Sequence, residues 1–437
     1  MEKKGRLLGF QIRSFVSSNG ERFSLLFSSE EAFPLFYPTA FISRSKRLNT
    51  TPSTQLVYLD AIKRLLEWEA QRKRQWDAEG KIGLEVRFQR HEFLRPHELD
   101  DLARYLNAAR CRKQGDTIGA AKGNTYISYA AQYLKWIADE LVTDGNRPDV
   151  RAMIDTQDRR LKEKLLSKAG SKSAKNQGNW KKHLSENARE QLHALWNDPF
   201  IGLFRTADRG ARQRTVVMLR ILYETGMRRG ELLSLKLKNV LDSAGGQVAR
   251  LVIERNHGDS FDTRVNQPVP KTRGRIVPIT AGLERQLTEY IAEYRADVPR
   301  VGFDEEDFIF VTHRNKRSQG APLSISAFDQ ALTELRKLFC AFATLHPHLL
   351  RHDWNYRFSL QCDKAKWTPE KERASREILM GWAEGSESAL IYNLRHTQEQ
   401  AICIGLQVAG DTERPTLPSK EILAATGKLA VAVANTK

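Results

Sequence analysis

The chain has 437 residues, enough for two or three domains of ordinary size. Its 70 lysines and arginines outweigh 53 aspartates and glutamates, giving a formal net charge of +17 that points to a polyanionic partner. No run of about 18 apolar residues occurs, and Met1-Glu2-Lys3-Lys4 does not lead into a signal-peptide core, so no membrane role is expected. Cys111, Cys340, Cys362 and Cys403 lack zinc-type spacing, and they read as reduced, mostly buried thiols of a cytoplasmic protein that needs no metal.

In residues 5–45, Leu8, Phe10, Ile12 and Phe15 alternate up to a Ser17-Ser18-Asn19-Gly20 turn, and Phe23, Leu25 and Phe27 alternate after it. That pattern predicts a β-hairpin, an accessory element for packing or for contact with a ligand. From Thr51-Pro52 the period changes to helical, with Leu56, Leu59, Ile62, Leu65 and Leu66 on one face. Further helices are predicted over 97–109 and 124–142, the latter presenting Ile127, Ala130, Leu134, Ile137 and Leu141. Asp144-Gly145-Asn146-Arg147-Pro148 breaks this pattern. Lysines at 162, 164, 168, 172, 175, 181 and 182 among small polar residues then read as a solvated basic linker.

From about 190 the elements mix. Val216 to Leu222 is apolar enough for a buried helix with Gly226 as its C-terminal glycine, and Arg228 begins a second helix packed through Leu232 and Leu233. Strands are expected at 248–254 and 275–279, with an insert at 257–267 and a Lys271 hairpin between them. A helix capped by Ser324 or Ser326 carries Phe328, Leu332 and Leu335. Glu370 to Met380 is helical and stops at Gly381, and a short helix follows with Tyr392.

Four short stretches carry chemistry. Residues 225–232 read Thr-Gly-Met-Arg-Arg-Gly-Glu-Leu, residues 270–279 read Pro-Lys-Thr-Arg-Gly-Arg-Ile-Val-Pro-Ile, and residues 346–352 read His-Pro-His-Leu-Leu-Arg-His. The fourth combines Leu379-Met380-Gly381-Trp382 with Ile391-Tyr392. Within one helix, His348, Arg351 and His352 share a face and offer an anion several donors from one side. Arg228, at the junction of two buried helices, is held as a rigid fork; Arg229 is equally available by type, but its spacing to Glu231 and Leu232 favours Arg228.

In kind and order these stretches resemble the boxes of the tyrosine recombinases, also called the phage integrase family. The resemblance implies a fold that is mainly α with a small antiparallel β-sheet in the catalytic domain. It implies an accessory β-rich segment over 1–48, a helical core-binding DNA domain over 49–145 and a basic linker over 146–189. An α+β tyrosine-recombinase catalytic domain would cover 190–410, and a tail helix over 411–437 would dock on a neighbouring protomer or on its own domain.

By the same resemblance Tyr392 is the nucleophile, Arg228 and Arg351 hold the phosphate, and Lys271 protonates the leaving oxygen, with Arg273 close by and a plain backbone contact as the other reading of Lys271. His348 handles the tyrosine proton, Trp382 or His352 supports the phosphate, and Glu231 is a supporting residue. Trp382 stands where most members have His, and its step to Tyr392 is one residue longer than usual, which leaves Tyr356 as a rival nucleophile. The expected partner is double-stranded DNA, bound by a homo-oligomer, a tetramer, in a bacterial cytoplasm at the nucleoid. No cofactor is expected. A type IB topoisomerase-like relaxing enzyme and a catalytically inactive DNA-binding architectural protein are the alternatives.

Overall fold

A computed structural model describes residues 9–29, 32–78, 82–109, 118–166, 183–269, 273–314, 317–386 and 401–410. The described residues are mainly helical and build two hydrophobic cores. The first begins with a hairpin, β1 (Phe10–Val16) against β2 (Arg22–Ser28), in a register that sets Phe15 opposite Phe23. Their rings stack with centroids 5.5 Å apart.

Four long helices follow: α2 (Pro52–Ala78), α4 (Pro96–Asn107), α5 (Ala120–Leu141) and α6 (Pro148–Lys162), with short α1 (Phe36–Phe41) and α3 (Leu84–Gln89) filling corners. Leu59, Ile62 and Leu65 of α2 meet Leu99, Leu102 and Leu106 of α4 and Ile127 and Leu134 of α5 in this core. Each such side chain contributes about 1.5–3 kcal/mol relative to exposure.

Helix α6 corrects the expectation of a solvated linker at its N-terminal end. Pro148 starts the helix, and Val150, Ile154 and Leu161, spaced four and seven apart, are buried in the first core. The charged residues between them occupy the outer face and had lowered the apparent hydrophobicity of the segment. Lys168, Lys172, Lys175, Lys181 and Lys182 lie outside the described residues.

The second core runs from Leu184 to Leu350. It holds α7 (Glu186–Asn197), α8 (Arg209–Thr225), α9 (Arg229–Leu233), a sheet of β3 (Val240–Leu241), β4 (Arg250–Ile253) and β5 (Arg275–Pro278), and α10 (Ala281–Glu289). Then come α11 (Ile325–Leu338), α12 (Pro347–Lys364) and α13 (Pro369–Met380). The sheet is antiparallel throughout, with Leu251 opposite Val277 and Ile253 opposite Arg275. Ser324, rather than Ser326, caps α11, its hydroxyl accepting the N–H of Ala327. The run from Phe308 to Val311 is buried but joins no strand, forming only isolated bridges to Lys236 and Pro322.

The hairpin and the insert at 257–267 dock on each other. Arg22, 5% exposed, donates to the backbone carbonyls of Asp259, Asp262 and Arg264, the last at 3.0 Å. Gly20, with φ of 81°, approaches so closely that a Cβ there would lie 2.5 Å from the carbonyl oxygen of Gly258. The hairpin therefore packs against the insert of the second core. Among the described residues no helix is long and apolar enough to cross a membrane.

Candidate active site

Helix α8 stops at Gly226, whose φ of 61° is the left-handed conformation of a C-terminal glycine. A Cβ at this position would lie 2.8 Å from Trp354 Cγ, so the turn is pressed against α12. Two residues later Arg228 is the N-cap of α9, and Glu231, fully buried, stands at the third helical position. Its Oε2 accepts the backbone N–H of Arg228 at 2.9 Å and Nη2 of Arg275 at 2.7 Å. A buried carboxylate is costly unless it is paired and hydrogen-bonded, and these donors meet that need.

The guanidinium of Arg228 is less committed. Its Nη1 sits 3.5 Å from Glu231 Oε1 and has no hydrogen-bond acceptor among the described residues. Arg229, by contrast, gives both Asp329 oxygens hydrogen bonds of 2.5 and 2.6 Å. Of the two neighbouring arginines, Arg229 is tied to a carboxylate through Nη1, while Nη1 of Arg228 makes no such bond.

Helix α12 opens with His346 as N-cap, the ring Nδ1 accepting the N–H of Leu349 at 3.0 Å. Burial, with the Arg336 charge beside it, lowers the His346 pKa and favours the neutral ring that this acceptor role requires. The shared face expected for His348, Arg351 and His352 is divided in the structure. Arg351 turns inward, 1% exposed, and its Nη1 donates to the carbonyl of Gly226 at 2.7 Å. His348 is exposed and His352 half-buried, with their rings edge to face at 4.3 Å.

The third wall is the turn after α13. Gly381, φ 66°, ends that helix, and Trp382 is buried against Met380 and Trp354. The Trp382 ring centre lies 5.4 Å from the Arg351 guanidinium carbon. The residues just before and at the start of β5 dock here too. Arg273 N–H donates to the carbonyl of Gly381 at 3.0 Å, and Arg275 Nε to the carbonyl of Leu379 at 2.6 Å. Three regions distant in sequence thus meet around Arg228, Arg351 and Trp382, whose guanidinium and indole N–H groups are donors of the kind an anion accepts.

Residues 200–360 match the phage integrase family. That stretch, a little over a third of the chain, is what is similar to the tyrosine recombinase, or phage integrase, family. The integrase region is similar to tyrosine recombinase XerC of Bacillus pumilus (strain SAFR-032), 33% identical over 141 residues that make up 32% of this chain and 39% of that relative. It is also similar to tyrosine recombinase XerD of Halalkalibacterium halodurans, 30% identical over 141 residues, again 32% of this chain and 39% of the relative. The chain spans about two fifths of the length of these relatives. A crystal structure of XerH site-specific recombinase bound to palindromic difH substrate aligns with 86% of this chain and 94% of its own, at 16% identity. Its TM-score is 0.45, a likeness too loose to argue from.

Of the residues expected in the site, Arg228 and Glu231 meet at the start of α9, Arg351 reaches the Gly226 carbonyl and lies beside Trp382, and His348 and His352 touch each other on α12. Lys271 and Tyr392 lie outside the described residues, as does the tail over 411–437. Tyr356, the rival nucleophile, is half-buried and its ring stacks on His183 at 5.0 Å. Arg275 was missed: at the start of a strand an arginine reads as an edge residue, and the sequence does not show that it meets the buried Glu231 carboxylate and the Leu379 carbonyl. The expectation of mostly buried cysteines is also corrected. Of the three in described residues Cys362 is buried, while Cys340 and Cys403 are exposed, the latter in a helical stretch, 401–410, that is exposed at every residue; Cys111 lies outside.

Proposed function

We propose that the chain is a site-specific DNA recombinase or integrase serving a mobile element, which cuts and rejoins double-stranded DNA through a 3′-phosphotyrosine intermediate. The observation that carries this reading is the Arg351 bond to the Gly226 carbonyl, which seats one arginine two residues from Arg228 although 125 positions separate Gly226 and Arg351. A buried anchor of this kind lets a guanidinium meet an anion without reorganising.

The chemistry follows from the residue types. Tyr392 Oη attacks the phosphorus and gives its proton to His348, forming a P–O bond to the tyrosine. The P–O5′ bond breaks, its electron pair leaves on O5′, and that oxygen takes a proton from the Lys271 ammonium. Arg228 and Arg351 hold the non-bridging oxygens as charge grows on them, with Trp382 or His352 in support. The ester conserves the bond energy, so a second 5′-hydroxyl can reverse the step without a nucleotide cofactor. The net charge of +17 favours the duplex through phosphate contacts. A homo-tetramer on DNA at the nucleoid, with the first core clamping the duplex and the integrase half cutting it, completes the proposal.

The test is to footprint the protein on DNA flanking its own gene and then mix two duplexes bearing the protected site. Products with exchanged flanks are expected. Relaxation of supercoiled DNA without exchange would favour a type IB topoisomerase-like enzyme, and binding with neither would favour an inactive architectural protein.

A further inference from the structure

The last carbonyls of a helix have no intrahelical N–H to accept from. At the end of α8 the chain turns away, the Met227 N–H going to Thr225 Oγ1 at 3.3 Å and the Arg228 N–H to Glu231 at 2.9 Å. One side of α12 supplies the donors instead. Arg351, Trp354 and Arg357 stand at three-residue steps along that helix. Arg357 Nη2 donates to the Tyr223 carbonyl at 2.6 Å, Trp354 Nε1 to the Glu224 carbonyl at 2.8 Å and Arg351 Nη1 to the Gly226 carbonyl at 2.7 Å. Two of the three donors are cations at a helix C-terminus, where the aligned peptide dipoles favour positive charge. Trp354 is the middle of the set, and its ring also covers Gly226 and packs on Met380 and Trp382 at the end of α13. Arg357 is itself held, its Nε donating at 2.8 Å to the buried carboxylate of Asp353, which also takes the Leu184 N–H at 3.0 Å and Arg189 Nη2 at 2.8 Å.

We propose that Trp354, with Arg357 beside it, is a positioning residue for Arg351: by capping the end of α8 it fixes the Gly226 carbonyl that seats the Arg351 guanidinium, and so sets where that guanidinium meets the scissile phosphate. An arginine anchored on a backbone carbonyl is only as well placed as the turn that carries the carbonyl. The two bonds to Tyr223 and Glu224 hold that turn against α12. Phenylalanine at 354 keeps an aromatic ring over Gly226 but loses the N–H, so it removes the tie and spares most of the packing. A tryptophan that merely filled space would change stability and leave the charge chemistry of cleavage alone. One that positions Arg351 matters to cleavage only as far as the charge on the phosphate needs that arginine.

This inference rests on the reading of Arg351 as a holder of the phosphate charge, and the experiment separates the two. Wild type, Arg351→Ala, Trp354→Phe and Arg357→Met are each given a nicked duplex carrying the wild type's cleavage site, with a phosphate or a methylphosphonate at the scissile position. The methyl group replaces one non-bridging oxygen and its charge, so the neutral phosphonate makes less demand on a cationic clamp. The rate of strand cleavage by excess protein is the readout. On the phosphate Arg351→Ala is expected to lose on the order of 100-fold or more, and Trp354→Phe roughly 10- to 100-fold. On the methylphosphonate both should come to within a few fold of wild type on that same substrate. If Arg351→Ala recovers there and Trp354→Phe stays slow, or if Trp354→Phe shows no loss on the phosphate, the positioning role is overturned while the reading of Arg351 stands. If Arg351→Ala itself does not recover, Arg351 is not the charge clamp and both fall. Thermal unfolding is followed in parallel, and should Trp354→Phe not fold, Arg357→Met is read in its place by the same criteria.

Discussion

In the N-terminal core, Glu98 stands at the third position of α4 and accepts the N–H of its cap residue, Arg95, at 2.8 Å. In the second core, Glu231 stands at the third position of α9 and accepts the N–H of its cap residue, Arg228, at 2.9 Å. Each glutamate is buried, and each is met by a second buried arginine from outside its helix. The difference lies in what the arginines have left. Arg87 spends both terminal nitrogens on Glu98, at 2.9 and 3.0 Å, while Arg95 points to solvent. Arg275 gives Glu231 a single arm, and Arg228 stays at 3.5 Å. The same capping device takes both terminal nitrogens of its outside arginine in one region, and in the other shares that arginine between the carboxylate and the Leu379 carbonyl.

That contrast can be broken by mutation, beginning with the closed pair. Arg87→Met strands a buried carboxylate, and denaturant unfolding of the N-terminal core should show a loss of about 3–5 kcal/mol. A loss below about 1 kcal/mol, the range of exposed pairs, would mean that the pair is not structural. Arg228→Ala should do the reverse. Stability should change by less than about 1 kcal/mol, while the rate of covalent DNA adduct formation drops on the order of 100-fold or more. Normal cleavage in that variant, with the loss appearing in Arg229→Ala instead, would reassign the clamp.

A half-buried carboxylate, Glu69, sharpens the comparison because no arginine fork meets it among the described residues. Glu69 accepts the Leu84 N–H at 2.7 Å, and burial pushes its pKa up to about 7. Its folded pKa lies above the unfolded value of 4.5, so the folded chain binds the extra proton. The stability this supplies is complete below the unfolded value and is lost as pH rises through about 7. Melting temperatures of wild type and Glu69→Gln compared between pH 5 and pH 8 should diverge, the wild type falling relative to the variant. Parallel curves would show that Glu69 titrates as an ordinary surface acid.

Periodicity made the elements that bury one face legible: the hairpin, α2, α5, α8 and α13 stand close to where alternation and helical spacing put them. It failed at α6, where charged residues diluted three well-spaced apolar ones. The site was legible as residue types, because arginines and histidines in short boxes announce anion chemistry. Its wiring was not. Arg351 reaches a glycine carbonyl, Arg275 a leucine carbonyl, and Arg22 three carbonyls in a distant insert. A backbone acceptor has no side-chain identity, so no pattern of residue types reveals it.

The central claim is that the arginines assembled at Gly226 and Glu231 serve a tyrosine nucleophile at position 392. The direct measurement is to trap the protein on a nicked suicide duplex and map the DNA-linked residue by peptide mass, for wild type and for Tyr392→Phe. The expected result is a 3′-phosphate linked to Tyr392 in the wild type and no adduct in the variant, with duplex affinity preserved because only one hydroxyl is removed. An adduct that persists in Tyr392→Phe, or one that maps to Tyr356, would contradict the account.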